Sequence, residues 1–460
     1  MIPKQLIDSL KGVKDFDEIK FLEAHQEFKE ITSIRINPNK IFSNDINELN
    51  NLYNLNISKP IPWCEHGYYL KERPKFTLDP LLHAGAYYVQ EPSSMFLWHI
   101  LQQLFNKEST PKVLDVCAAP GGKSTLLSSY FANGLIVSNE VIKQRANVLV
   151  ENITKWGASN CIVTNNDPKD FKEIENFFDL VVIDAPCSGS GLFRKDASAI
   201  DEWSIDNVNL CHQRQKRILS DTIHCLNNDG IIIYSTCSYS TQENEEILDW
   251  VMEEFDVESI QINMHENWGI VETQSQYNNA FGYRFFPDKV KGEGFFITVL
   301  KTKKETKKKN FKKNNFPLPS KIEMQVVEKY INHSNNCLFF KHNENIIYFL
   351  STFYIDLQIL SSYLYIKMAG TEIGLIKGKD LIPSHNLALS NLKIKNFSTI
   401  ELNIEDVLQY LSKKVVTINA ECRGWALILY KDCNIGWVKV LENRINNYYP
   451  TNWRILNLVK

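Results

Sequence analysis

The sequence predicts an α/β protein: a mostly parallel sheet with helices on both faces, preceded by a mixed α+β leader and followed by a β-rich module. Three observations lead there. Five short apolar runs of strand length recur in the middle of the chain, "KVLDV", "GLIVSNE", "CIVTNND", "FDLVVIDAP" and "GIIIYSTCS". Helix-like segments such as "IKQRANVLVENITKWG" and "HQRQKRILSDTIHCLN" separate them, the pattern of βαβ units. A glycine-rich turn, "CAAPGGKST" from Cys117 to Thr125, follows the first run, where a doubly wound sheet binds an adenosine-containing ligand.

In chain order, residues 1–105 form the leader, with "SIRINPNK" and "LHAGAYYVQEPSSM" inside it. Residues 106–302 hold the sheet, to which "VESIQI" and "GFFITVL" add antiparallel edge strands. Residues 303–319 read as a linker. The stretch "KTKKETKKKNFKKNN" carries eight lysines and a single glutamate, and like charges repel and stay solvated. A mobile basic tether of this kind also attracts phosphate weakly. Residues 320–375 form a connecting α+β region, in which "CLFFKHNENIIYFL" is a hairpin with "KHNEN" as its turn. Residues 376–460 form the final module, whose aromatics serve either as a core or as a docking surface.

With 460 residues and 44% hydrophobic content, the chain supports two or three domains with proper cores. A net charge of −3 excludes a globally basic surface, so nucleic-acid binding has to come from local patches. The ten cysteines stand singly and make no C-x-x-C pair, which argues against structural zinc, any other metal centre and a disulfide framework. The start has no signal-like apolar core, and no run approaches the ~18 residues of a membrane span. The expectation is a reduced, cytoplasmic monomer with no membrane partner.

The turn has three readings. As a P-loop it lacks the first glycine, since Cys117 stands in its place. As a dinucleotide loop it lacks G-x-G-x-x-G. As an S-adenosylmethionine loop it needs close backbone approach and an acid for the ribose. Glu140, about 19 residues past Gly121, and Asp167 end successive runs in suitable places. Two cysteines then follow strand candidates, Cys187 in "DAPCSGSG" and Cys237 in "STCSYS". Thiolate addition to C6 of a pyrimidine makes C5 nucleophilic enough to take a methyl group. An acid such as Asp184 near N3 offsets the charge on the ring. A second thiol or base then helps to release the first. Chemistry alone leaves the nucleophile undecided between Cys187 and Cys237. Cys117, Cys161, Cys211 and Cys225 read first as core fillers.

Taken together, "DVCAAPGGKS", "DAPCSGSG" and "STCS" resemble the Nop/Sun family of RNA cytosine-5 methyltransferases over residues 80–300. The resemblance implies a Rossmann-like fold with S-adenosylmethionine as cofactor. It implies Cys237 as nucleophile, Cys187 as the cysteine of product release, Asp184 beside the target base, and Lys123 and Lys195 lining the site. It places the cofactor on Cys117, Ala118, Ala119, Pro120, Gly121, Gly122 and Lys123, and on Glu140, Arg145, Asp167, Asp184 and Pro186. The leader resembles the family's RNA-binding region. The C-terminal "GWVKVLENRINNYYPTNWRI" resembles the PUA-like module of the bacterial small-subunit enzymes, implying 16S rRNA as partner, with tRNA or a non-catalytic assembly role as alternatives. Asp288 departs from the pattern, standing after a proline where relatives carry histidine.

Overall fold

The computed structural model describes residues 2–26, 31–40, 43, 45–303, 309–332, 336–415 and 422–458. The five apolar runs become five parallel strands: β1 Lys112–Asp115, β2 Leu135–Asn139, β3 Cys161–Thr164, β4 Phe178–Asp184 and β5 Leu226–Thr236. Successive residues alternate between the two faces: Val113 and Ile136 pack into one hydrophobic cluster, Leu114, Leu135 and Val137 into the other. Apolar residues thus fill most of the central positions because both faces are buried, each large side chain contributing about 1.5–3 kcal/mol.

Four further strands extend the sheet beyond β5 and one closes its opposite edge: β6 Val257–Ser259, β7 Val271–Gln274, β8 Phe281–Phe285, β9 Phe295–Thr302 and β10 Ile366–Ala369. The order is β7-β8-β9-β5-β4-β1-β2-β3-β10, with β6 also paired to β9. Two expectations change here. "GFFITVL" forms β9, which is antiparallel but interior, because the β7–β8 hairpin continues the sheet past it. The far edge is closed by β10 from the connecting region, antiparallel to β3. The core therefore borrows a strand from a segment placed outside it on sequence. The expected boundary at 375 also moves, since the strand Thr371–Lys377 pairs with Asp380–Pro383 across it.

Helix α1 spans Gly122–Tyr130, α2 Lys143–Trp156, α3 Ile205–Thr222 and α4 Glu245–Glu254. α2 ends at Gly157 in the left-handed region at φ 83°, which suits glycine. α3 starts earlier than its sequence pattern, capped by Ser204, whose hydroxyl accepts from Asn207 N at 3.1 Å. "CLFFKHNENIIYFL" is the expected hairpin, with a turn narrowed to Asn343 and Glu344, both at positive φ.

Residues 304–308 of the lysine-rich stretch lie outside the described residues. The part that follows is not a solvated tether. Phe311 packs on Phe177 and Tyr363 with ring centroids 5.9 and 6.2 Å away, and Lys309 pairs with Glu175 at 3.1 Å. Apolar partners for Phe311 outweigh the repulsion of its lysine neighbours. At the chain's two ends, the leader and the final module share one hydrophobic cluster, joining Leu81 and Tyr87 to Tyr410, Leu411 and Tyr449. Tyr449 and Trp437 are fully buried, so the module's aromatics are largely core, while Tyr448 is exposed. No helix among the described residues is long and apolar enough to cross a membrane.

Candidate active site

The strand order reverses between β1 and β4, and at such a switch point the loops diverge to leave a crevice at the carboxyl ends. The glycine-rich turn lies there. Gly121 caps α1 at φ 116°, a conformation that L side chains rarely adopt. The turn's carbonyls are held from α2: Arg145 Nη2 donates to Ala119 O at 2.7 Å and Asn152 Nδ2 to Pro120 O at 2.8 Å. Arg35, from "SIRIN", is completely buried and grips the first turn of α1. It donates to Thr125 Oγ1 at 2.5 Å, Gly122 O at 3.2 Å and Gln90 Oε1 at 2.9 Å. Burial lowers its guanidinium to about 10.

A cavity of about 320 Å³ opens over this turn. Asp115, Cys117, Ala118, Ala119, Pro120, Gly122, Lys123, Asp184 and Cys237 line it, together with Gln90, Glu91, Glu293 and Phe295. A larger hollow of about 610 Å³ beside β10 contains none of the candidate residues, so volume alone does not locate the chemistry. Asp115 is fully buried; its Oδ2 accepts from Ser124 Oγ at 2.6 Å, and its Oδ1 has no hydrogen-bond partner among the described residues. Burial pushes this carboxyl up to about 7, against the opposing Ser124 bond and Lys123 charge. Lys123 Nζ lies 2.8 Å from Asp184 Oδ2, and Ser235 Oγ donates to Asp184 Oδ1 at 2.9 Å. Lys123 Nζ is thus the hydrogen-bond donor of this pair and Asp184 its acceptor.

Cys187 and Cys237 leave β4 and β5 side by side, their Sγ atoms 3.0 Å apart. Cys187 is pushed well above the usual thiol range by its bond to Cys237, then by burial and by the charge of Glu243. It remains a thiol. Cys117 is likewise driven up by burial, but it lines the cavity rather than filling the core. Cys161 and Cys225 are fully buried fillers, and Cys211 nearly so.

The remaining candidates stand outside this cavity. Glu140 is buried at the end of β2; its Oε1 accepts from Ile142 N at 2.9 Å and its Oε2, 3.3 Å from Arg145 Nη1, lacks a hydrogen-bond partner among the described residues. Asp167 caps the turn Pro168–Glu173 and faces Arg217 at 3.5 Å. Pro186 gives its carbonyl to Gln215 at 3.0 Å. Lys195 lines a neighbouring cavity of about 410 Å³ with Arg73 and Arg194; the two hollows share a wall of Gln90, Glu91 and Glu293. Asp288 lies away from both, half-buried beside Lys289 with its carboxyl pushed up by burial. Arg35, Asp115, Glu91 and Glu293 escaped the sequence reading. Only Asp115, ending its run just before the turn, carried a local signal.

Three family models match consecutive parts of the chain. They describe the N-terminal domain of 16S rRNA methyltransferase RsmF (residues 2–92), 16S rRNA methyltransferase RsmB/F (102–301) and the methyltransferase RsmF PUA domain (397–455). The chain belongs to the 16S rRNA methyltransferase F family. The ribosomal RNA small subunit methyltransferase F of Shewanella piezotolerans is 29% identical over 433 residues, covering 91% of this chain and 90% of that protein. Its Escherichia coli K12 counterpart is 27% identical over 468 residues, covering 97% and 94%. Among solved structures, a methyltransferase homolog protein from Pyrococcus horikoshii is 26% identical with a TM-score of 0.53, over 65% of this chain and all of that one. NSun6 from the same organism shares the fold at 19% identity and TM-score 0.54, over 66% and 99%.

The family's cofactor is S-adenosylmethionine, and the residues present fit it. The buried, unsatisfied Glu140 Oε2 suits ribose hydroxyls, the turn offers close backbone approach, and Asp115 Oδ1 adds a free acceptor in the cavity.

Proposed function

We propose that this methyltransferase places a methyl group on C5 of a cytosine in small-subunit rRNA, with Cys237 as the covalent nucleophile. The observation that carries the reading is the pair of thiols 3.0 Å apart, one of them lining the cavity over the cofactor turn. A cytosine flipped from its stack enters that cavity. Cys237 reacts as the thiolate, its proton having passed to solvent: Sγ bonds to C6 and the electron pair of the C5–C6 double bond moves into the ring, where Lys123, held by Asp184, gives a proton to N3 and takes it back when the double bond re-forms on release. When bound, S-adenosylmethionine presents an electrophilic methyl group to C5. Release requires the C5 proton to pass to solvent and the Sγ–C6 bond to break. Cys187, held as a thiol, gives its proton to the departing sulfur. The basic hollow with Arg73, Arg194 and Lys195 is placed to take the adjoining phosphates.

The test is incubation with S-adenosylmethionine and unmodified small ribosomal subunits, followed by bisulfite mapping. One new protected cytosine, lost in Cys237→Ala, is expected; Cys187→Ala is expected to leave a protein–RNA adduct that survives denaturation. Full methylation by Cys237→Ala would overturn the nucleophile assignment, and no protected cytosine in the subunit, with protection appearing when tRNA is offered in a parallel reaction, would overturn the substrate.

A further inference from the structure

The two thiols ride on separate loops, one after β4 and one after β5, and holding them 3.0 Å apart requires a tie between those loops. Glu243, fully buried on the short turn Thr241–Glu243, provides it. Its Oε1 accepts from Ser188 N at 2.8 Å and from Gln215 Nε2 at 3.1 Å. Its Oε2 accepts from Ser188 Oγ and Ser238 Oγ, both at 2.5 Å. Ser188 adjoins Cys187 and Ser238 adjoins Cys237, so one carboxylate holds the residue next to each thiol. All four donors are neutral. Burying a carboxylate among neutral groups is costly unless its lone pairs are satisfied, and here each oxygen is satisfied twice.

We propose that Glu243 is a positioning residue for methyl transfer: one buried carboxylate clamps the two cysteine loops together and lays its charge beside Cys187. The proposal deepens the function given above and rests on the roles assigned there to Cys187 and Cys237. The charge acts in the required direction. Cys237, burial and Glu243 all push the Cys187 thiol up, and only the Gly189 backbone N–H opposes them. The other ionisable groups facing this cluster are Tyr234 on β5, Asp184 on β4, and Cys211 and Arg214 on α3. Tyr234 and Cys211 are themselves pushed up, first by burial and then by Glu243, so neither supplies a competing charge.

The experiment uses the full-length protein carrying E243Q, which keeps the shape and removes the charge. Iodoacetamide alkylation of Cys187 and Cys237, followed separately by peptide mass spectrometry against pH, needs neither RNA nor methyl donor. The Cys187 profile is expected to move to lower pH, read as a roughly tenfold gain in alkylation rate on the alkaline side of neutral. In methyl transfer, kcat is expected to fall at least about tenfold, with KM for RNA within about twofold. A purely structural residue would lower the melting temperature and leave the thiol profile in place. A Cys187 profile superimposable on wild type in folded E243Q overturns the electrostatic role. If E243Q does not fold, the S188A/S238A double variant tests the clamp, and an unchanged kcat overturns it. Failure of the nucleophile assignment is distinguishable, because it would appear as full activity in Cys237→Ala whatever the alkylation profile.

Discussion

Gly191 lies between the two segments that frame the thiols. Its N–H donates to Cys237 O at 2.8 Å, and its carbonyl accepts from Gly294 N at 3.1 Å. A Cβ at this position would lie 2.3 Å from Gly294 O and 2.8 Å from Cys237 O, where ordinary contacts begin at 3.4 Å. Both obstacles are backbone, so no rotamer change relieves them. Gly191→Ala must therefore shift the Cys237 loop or the Gly294 loop by about 1 Å. A displacement of that size at a reacting group costs on the order of 10²-fold in rate, about 2.7 kcal/mol of transition-state stabilisation. The overpacking itself costs about 1–3 kcal/mol of stability. Single-turnover transfer of a labelled methyl group at saturating donor, with a thermal melt of the same sample, measures both. Gly189→Ala is the comparison: its φ of 75° brings about 1–2 kcal/mol of strain, but nothing lies within 4 Å of the added carbon. It should lose stability and far less activity. A folded Gly191→Ala enzyme within about threefold of wild type would refute the claim that this glycine sets the thiol position.

Three other outcomes are expected. Arg35→Met leaves Gln90 Oε1 without its donor and removes one of the two side-chain donors to Gly122 O, so it should cost about 2–4 kcal/mol in denaturant melts and weaken donor binding by calorimetry, though Arg35 contributes nothing to the cavity wall. Asp115 holds its proton up to about pH 7 when folded but only to about 3.8 when unfolded. The native state therefore binds more protons in that window, and stability falls as pH rises through it; Asp115→Asn should abolish this slope in urea melts across the window. His83 and His385, held neutral by burial down to about 4 and about 3, act in the opposite sense. The unfolded chain takes up those protons below about 6.5, so acidification destabilises the fold, and Asp115→Asn should lose stability more steeply in acid than wild type does.

The parts of this molecule legible from sequence are those written locally. Strand runs, α2 and most of α3, the glycine turn and the tight hairpin all depend on residues within a few positions of one another, and propensity and turn chemistry report on them directly. β10 was invisible because its partner β3 lies some two hundred residues earlier, and a four-residue half-buried strand has no periodicity of its own. Phe311 was absorbed into a lysine run whose charge suggested solvent, yet an aromatic with apolar neighbours packs regardless. Asp184 and Cys237 could be nominated because they stand at or just past strand ends, Lys123 only through the family resemblance, and the structure brings all three to one cavity. Arg35 and Glu243 could not. Charged residues read as surface in a single sequence, and both earn burial through hydrogen bonds to distant loops.

The cluster shared by the chain's two ends has a consequence for how the protein is made. The leader leaves the ribosome first, but the residues that cover Leu81 and Tyr87, such as Tyr410 and Tyr449, emerge close to the end. At ~5–20 residues per second, that interval is on the order of tens of seconds. Throughout it the nascent leader carries an uncovered apolar face, available to chaperones and to other unfinished chains. A product terminated before those residues keeps that face uncovered. Synthesis of the final module is thus registered on a face of the leader that emerged long before it.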